Sequence, residues 1–135
     1  MPTGVFDGPI VAYIPSSDRP VCAVTRVVDG DTLTIDCGDG GGNARLVGFD
    51  MPETFRPGCS SERRLGETAK DYLLVSLKRA SHIGVNFEGT DKYQRLLIEM
   101  SLDGRQLADI MIARGVAVRY SGGSRIDWCQ RLGTI

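Results

Sequence analysis

The stretch "VTRVVDGDTLTID", residues 24–36, sets an Asp-Gly-Asp triplet between two short β-branched runs. Alternating apolar residues on either side of a glycine-centred turn predict a hairpin, with strands over 21–28 and 31–37 and the turn at Asp29-Gly30. Side chains alternate across a strand, so Asp31 shares its parity with Leu33 and Ile35, the residues expected to face a core. A carboxylate aimed at the apolar side of a sheet is costly unless something cationic meets it. The hairpin therefore predicts a site along with a fold.

Outward from the hairpin, "GDGGGN" (38–43) is a connection and "ARLVGF" (44–49) a third strand. The segment "DMPETFRPGCSSERR" is polar, carries two prolines and lacks apolar periodicity, so it reads as a loop. A helix is expected over Glu67–Arg79, with Tyr72, Leu73, Val75 and Leu77 on a broad apolar face. Ile83, Val85 and Phe87 alternate as a fourth strand. Arg95–Leu102 makes a fifth, closed by Asp103-Gly104. A second helix over 105–114 buries Leu107, Ile110 and Met111, with Gly115 as its stop, and "VAVRY" (116–120) returns extended. Five short strands, with one helix between the third and fourth and another after the fifth, give an α+β, mainly β class and a five-stranded OB-fold barrel. Residues 1–20, rich in Pro, Gly and Ser, read as an irregular N-terminal arm, 21–120 as the compact domain, and 121–135 as a tail pinned by Trp128 and Cys129.

The 135 residues suit one domain. No apolar run approaches the ~20 residues of a membrane span, and the first twenty residues lack the charged and apolar regions of a signal peptide. A net charge of −1 argues against coating nucleic acid through bulk electrostatics. The charge is uneven: residues 105–135 hold five arginines against Asp109 and Asp127, a net +3, which leaves −4 on the first 104 residues. The four cysteines contain no Cys-x-x-Cys pair, so a zinc site is not expected. They suit two disulfides in an oxidising compartment or four buried thiols in a reducing one. Facing residues of the hairpin have numbers summing to 59 or 60, which sets Cys22 opposite Cys37 and leaves Cys59 and Cys129 as the second pair. That pairing favours a secreted or periplasmic setting over a cytoplasmic one. His82, the single histidine, stands apart from the motif pieces, so no Ser-His-Asp or Cys-His site is supported.

Four separated pieces carry chemistry: "DGDT" (29–32), "RLVGFDMPET" (45–54), "GETAKDYL" (66–73) and "DKYQR" (91–95). In this order and spacing they resemble the staphylococcal nuclease-like (thermonuclease) family over roughly residues 21–120. The resemblance implies a Ca²⁺-dependent phosphodiesterase acting on DNA and RNA that leaves 3′-phosphates. It implies that Asp31, Asp50 and the carbonyl of Met51 bind the metal, where the family often has Thr in place of Met51. Hard cations such as Ca²⁺ do collect oxygens in this way. Glu53 matches the residue that takes a proton from the attacking water or positions it. Arg45 and Arg95 match the arginines that grip the phosphate, where guanidinium donors stabilise charge in the transition state. Lys92 and Tyr93 match residues that contact phosphate or sugar, and Gln94 replaces a common glycine. Tyr120 either stacks on a base or packs at a strand end. Asp29 and Thr32 are expected to support the turn and orient Asp31. The partner expected is nucleic acid, with no membrane contact and a monomeric chain. The competing reading is a non-catalytic OB-fold module that binds nucleic acid or protein, although decayed copies typically lose the acids or arginines retained here.

Overall fold

The computed structural model describes residues 10–13, 21–29, 31–36 and 41–133. Along the chain run β1 (Ile10–Tyr13), β2 (Val21–Asp29), β3 (Thr32–Asp36), β4 (Gly41–Leu46), β5 (Gly48–Asp50), α1 (Ser60–Arg79), β6 (Ile83–Thr90), β7 (Leu96–Leu102), β8 (Arg105–Gln106), α2 (Leu107–Ala113), β9 (Val118–Tyr120) and α3 (Trp128–Arg131). The main sheet has the order β4-β3-β2-β1-β6-β7-β8, and β4 also pairs with β7, so the ladder returns to its first strand. This is the expected α+β, mainly β fold, with α1 between the hairpin strands and β6.

The β2–β3 hairpin keeps the predicted count: Ala23 faces Asp36 and Val24 faces Ile35, then shifts bring Val27 opposite Leu33 and Asp29 opposite Thr32. The next pair outward, Cys22 with Cys37, lies outside the described residues. Two parallel or antiparallel ladders then converge on one residue. Arg45 of β4 lies opposite Thr32 of β3 on one side and opposite Leu97 of β7 on the other. The ends of the Asp-Gly-Asp turn and of the "DKYQR" loop are thereby brought to the same strand.

Several element boundaries differ from expectation. Ile10–Tyr13, placed in the irregular arm, pairs with β2 as a strand. The third strand is broken at Val47 into β4 and β5. Gly48 has φ +101, a left-handed value that favours glycine, and the break turns β5 away to pair with β9, Gly48 facing Tyr120 and Asp50 facing Val118. Helix α1 begins seven residues earlier than expected, at Ser60. The second helix is shorter, because Arg105 and Gln106 pair with β7 before it starts. Phe87 is 42% exposed rather than facing the core, although it stays in register opposite Ile98; the ladder shifts just beyond it, between Phe87 and Gly89.

Leu33, Leu46, Phe49, Leu73, Leu77 and Ile98 form the centre of the core. On α1 the buried positions are Glu62, Gly66, Ala69, Leu73 and Leu77, one stripe at three- and four-residue spacing. A glutamate at the head of that stripe is the exception that builds the site. Among the described residues no helix is long and apolar enough to cross a membrane.

Candidate active site

Asp31 sits at the start of β3 with its side chain 13% exposed, and Arg45 meets it at 2.8 Å, Nη1 to Oδ2. The carboxylate that the strand parity aimed inward does meet a cation. Thr32 Oγ1 donates to Asp31 Oδ1 at 3.3 Å, the supporting role expected of it. Burial pushes the Asp31 carboxyl above its ordinary range, against the pull of Arg45 and then Arg125, with Asp50 and Asp29 adding to the rise. Asp29 accepts from Thr54 Oγ1 at 2.7 Å and from the Thr54 backbone N–H at 3.3 Å. It thus ties the hairpin to the loop that carries Glu53.

Asp50 is fully buried. Its Oδ2 accepts from the Trp128 indole N–H at 3.1 Å, its Oδ1 accepts from Arg125 Nη2, and Arg45 Nη2 lies 3.9 Å away. Glu53 pairs with Arg125 Nη1 at 2.9 Å, and Asp31 Oδ2 lies 3.8 Å from Arg125 Nη2. The three acids are therefore gathered around one guanidinium. Burial works against its charge, but the hydrogen bond and field of Asp50, then Asp31 and Glu53, hold the Arg125 pKa above its ordinary value. Met51 contributes a fully buried side chain to the core, so only its carbonyl is left for a ligand role.

The second half of the site is a cleft of about 560 Å³ lined by Arg45, Lys92, Tyr93, Arg95 and Tyr120, with Asp91 in its wall. The four residues expected at phosphate or sugar line it, together with Tyr120. Arg45 is shared between the acid cluster and the cleft. The 91–95 loop is held by Asp91, whose Oδ1 accepts from the backbone N–H groups of Tyr93 and Arg95, both at 2.9 Å. Its Oδ2 accepts from Arg95 Nε at 2.7 Å. A burial cost on Asp91 is outweighed by these bonds, from Arg95 first and then Tyr93, which hold its carboxyl below the usual range. Gln94 has φ +68, the left-handed conformation in which a glycine is at ease. Tyr93 is 67% exposed, with Lys92 Nζ 5.3 Å and Arg95 Cζ 5.7 Å from its ring centre. Arg45 Cζ lies 5.9 Å from the Tyr120 ring, and Tyr120 donates its hydroxyl hydrogen to Gly123 O at 2.8 Å, so its face lies toward the cleft's arginine.

Three participants escape a reading of the motifs. Glu62 is 92% buried at the head of the α1 stripe, from its 8% exposure. It accepts from Glu53 N at 3.0 Å and Gly58 N at 2.8 Å, clamping both ends of the loop. Its signal is an acid in phase with Ala69, Leu73 and Leu77, masked because apolar periodicity begins only past Gly66. Arg125 and Trp128 reach the site from the tail, fixed by a Cys59–Cys129 disulfide of S–S 2.11 Å and Cα–Cα 6.0 Å. The hairpin count leaves this pair; no apolar periodicity marks Arg125, which follows Ser-Gly-Gly-Ser at 121–124.

Among the described residues no group of three or more His, Cys, Asp or Glu side chains is arranged to hold a metal ion. The donor chemistry nevertheless suits a hard cation, since Asp31 and Asp50 converge on a single positively charged atom, Arg125 Nη2.

Residues 43–128 match the model of the staphylococcal nuclease homologue family. Over 127 residues the chain is 26% identical to the thermonuclease of Staphylococcus hyicus, spanning 89% of this chain and 75% of that protein. Over 92 residues it is 32% identical to the thermonuclease of Staphylococcus intermedius, spanning 67% of this chain and 54% of that protein. Arg45, Asp50, Glu53 and Arg95 lie inside the matched region and Asp31 just before it, and the chain belongs to the staphylococcal nuclease family.

Proposed function

We propose that the protein is a Ca²⁺-dependent endonuclease that hydrolyses phosphodiester bonds in DNA and RNA. A nuclease function holds at the level of the family; the metal, the substrates and the residue roles are our reading. The observation that carries it is Arg45, whose guanidinium pairs with Asp31 and also lines the cleft with Arg95. In this reading Arg45 and Arg95 hold the non-bridging oxygens of one phosphate. Their charge stabilises the extra negative charge that develops as water attacks phosphorus. Glu53 accepts the water proton or orients the lone pair. The bond to the 5′ oxygen breaks, leaving a 3′-phosphate and a 5′-hydroxyl. Lys92, Tyr93 and Tyr120 hold the neighbouring phosphate, sugar and base, where aromatic faces suit stacking. Asp31, Asp50 and the Met51 carbonyl would hold Ca²⁺, which supplies positive charge next to the phosphate. The domain that does this work is residues 21–120 with the tail's support.

Initial cleavage rates with and without Ca²⁺ on single-stranded DNA, duplex DNA and RNA test the reading. Cleavage that needs Ca²⁺ and is lost in Arg45→Ala and Arg95→Ala supports it. Retained binding of nucleic acid with no cleavage at any Ca²⁺ concentration would instead establish a non-catalytic OB-fold module.

A further inference from the structure

We infer that Arg125 is a tethered cationic plug: the C-terminal arm inserts its guanidinium into the acid cluster, where it competes with a divalent cation for Asp31, Asp50 and Glu53. This rests on reading Asp31 and Asp50 as cation ligands, and it goes beyond that reading by assigning the chain its own occupant for their site.

Four observations carry the inference. Arg125 reaches all three acids, at 2.9 Å from Glu53 and 3.8 Å from Asp31, with a hydrogen bond to Asp50. It does not line the cleft that holds Arg45, Arg95 and Tyr120; it borders a separate shallow depression with Glu53, Glu62 and Trp128. Its place is therefore over the acids and away from the phosphate groove. The arm is anchored on either side of the catalytic loop, because Cys129 is bonded to Cys59 and Trp128 donates to Asp50. Yet the Arg125 side chain is 41% exposed, and two glycines at positive φ precede it. It can leave without unpacking the core, which the fully buried Asp50 cannot do.

Two consequences follow from the electrostatics. A cation held by both Asp31 Oδ2 and Asp50 Oδ1 would need the space that Arg125 Nη2 fills, and the two like charges would repel there. Cation binding therefore requires the plug to swing out. Apparent affinity is then weakened in proportion to the fraction of molecules that are open. Glu53 is released in the same movement, so one displacement exposes the metal ligands and frees the group that handles the water proton. The disulfide keeps the effective concentration of Arg125 high. Opening it with dithiothreitol, which gives two electrons and two protons and becomes a cyclic disulfide, lowers that concentration.

Ca²⁺ titration by calorimetry on the full chain tests the plug. Arg125→Gln should bind Ca²⁺ at least about tenfold more tightly than the oxidised wild type, and Arg125→Lys, which keeps the charge, should stay near the wild type. Because the Gln variant leaves Asp50 with less support and risks misfolding, the same titration on wild-type protein reduced with dithiothreitol provides a second readout, with affinity expected to rise. Unchanged or weaker Ca²⁺ binding in the folded variant and in the reduced protein overturns the plug, and so does absence of Ca²⁺ binding in both. Cleavage assays on the same samples separate the two ideas. Tighter binding with no cleavage by any form keeps the plug and removes the nuclease reading. Ca²⁺-dependent cleavage by the wild type with no tightening keeps the nuclease and removes the plug.

Discussion

Asp31 and Glu53 both touch Arg125, but they are held differently, and substitutions should separate them. Asp31 bonds Arg45 at 2.8 Å and is expected to be a metal ligand, so Asp31→Ala should abolish Ca²⁺ binding and cleavage together. Glu53 is 34% exposed on its loop. Glu53→Gln keeps the loop's backbone bond to Glu62 and the Asp31–Asp50 pair. Nucleotide-supported Ca²⁺ binding should survive while turnover falls by about 10²–10⁴-fold, the range of general acid–base assistance. Initial rates and Ca²⁺ titrations on the same preparations decide between them. The 91–95 loop offers two tests of conformation. Gln94 stands at φ +68, so Gln94→Gly relieves a left-handed side chain and should raise unfolding stability by about 0.5–1 kcal/mol, read from urea midpoints. Asp91 has a folded pKa below its unfolded value. Its contribution to stability is therefore complete above the unfolded pKa and is lost as pH falls through the folded one. The stability gap between the wild type and Asp91→Asn should be full at pH 7 and close on acidification, measured by urea unfolding across pH.

Helix α1 positions the loop that carries Glu53 through the one place where it has no side chain. Gly66 packs so closely that an added Cβ would lie 2.9 Å from Pro52 O, 2.9 Å from Thr54 Cγ2 and 3.0 Å from the Glu53 carbonyl carbon. In an exposed helix Gly→Ala gains about 1 kcal/mol. Here the methyl meets backbone, so Gly66→Ala should lower the melting temperature and, by displacing Glu53, cut turnover more than it cuts Ca²⁺ affinity. Thermal unfolding and initial rates test both halves. The same element shows what could be read beforehand. Tyr72, Leu73 and Leu77 announced the helix by their spacing, and alternation announced β2, β3, β6 and β7. The early start at Ser60 was hidden because Glu62 and Gly66 occupy the buried stripe with residues that read as polar and flexible. Both are there for the loop's sake: one accepts its N–H groups, the other gives it room. Local pattern misreads the positions where a helix serves a site. Similarly, Phe87 keeps the alternation in sequence and in register yet is 42% exposed, at the last position before the ladder shifts.

Across the whole molecule, the basic tail and the acidic body meet at the site: Arg125, one of five arginines over residues 105–135, closes on acids from the body. A charge imbalance in a sequence says that two regions attract; it does not say which pair meets. The disulfide fixes that choice. Cys59 and Cys129 are separated by 70 residues, and the loop between them holds α1, β6, β7, β8, α2 and β9. Closing a loop of that length restricts the unfolded chain, and the entropy relation gives about 4 kcal/mol. Because unfolded chains keep some structure and native bonds carry some strain, removal of a native bridge typically costs about 2–5 kcal/mol. Cys59→Ser/Cys129→Ser should therefore unfold at lower urea with a smaller free energy by about 2–4 kcal/mol. Most of the change should appear in the midpoint, and the slope should rise as the unfolded chain expands. The active-site arm makes a second, distinguishable contribution. Trp128 is 4% exposed and its indole is tied to Asp50, so its fluorescence reports the arm itself. If the bridge acts only on the unfolded chain, tryptophan fluorescence and far-ultraviolet circular dichroism will give one coincident transition in the double variant. If the arm detaches first, fluorescence will change at lower urea than the backbone signal, and the two-state description will fail. Detachment is the expected result, because residues 121–125 are exposed and the body's core strands lie elsewhere. Coincident curves with an unchanged midpoint would show that the bridge neither stabilises the fold nor holds the arm.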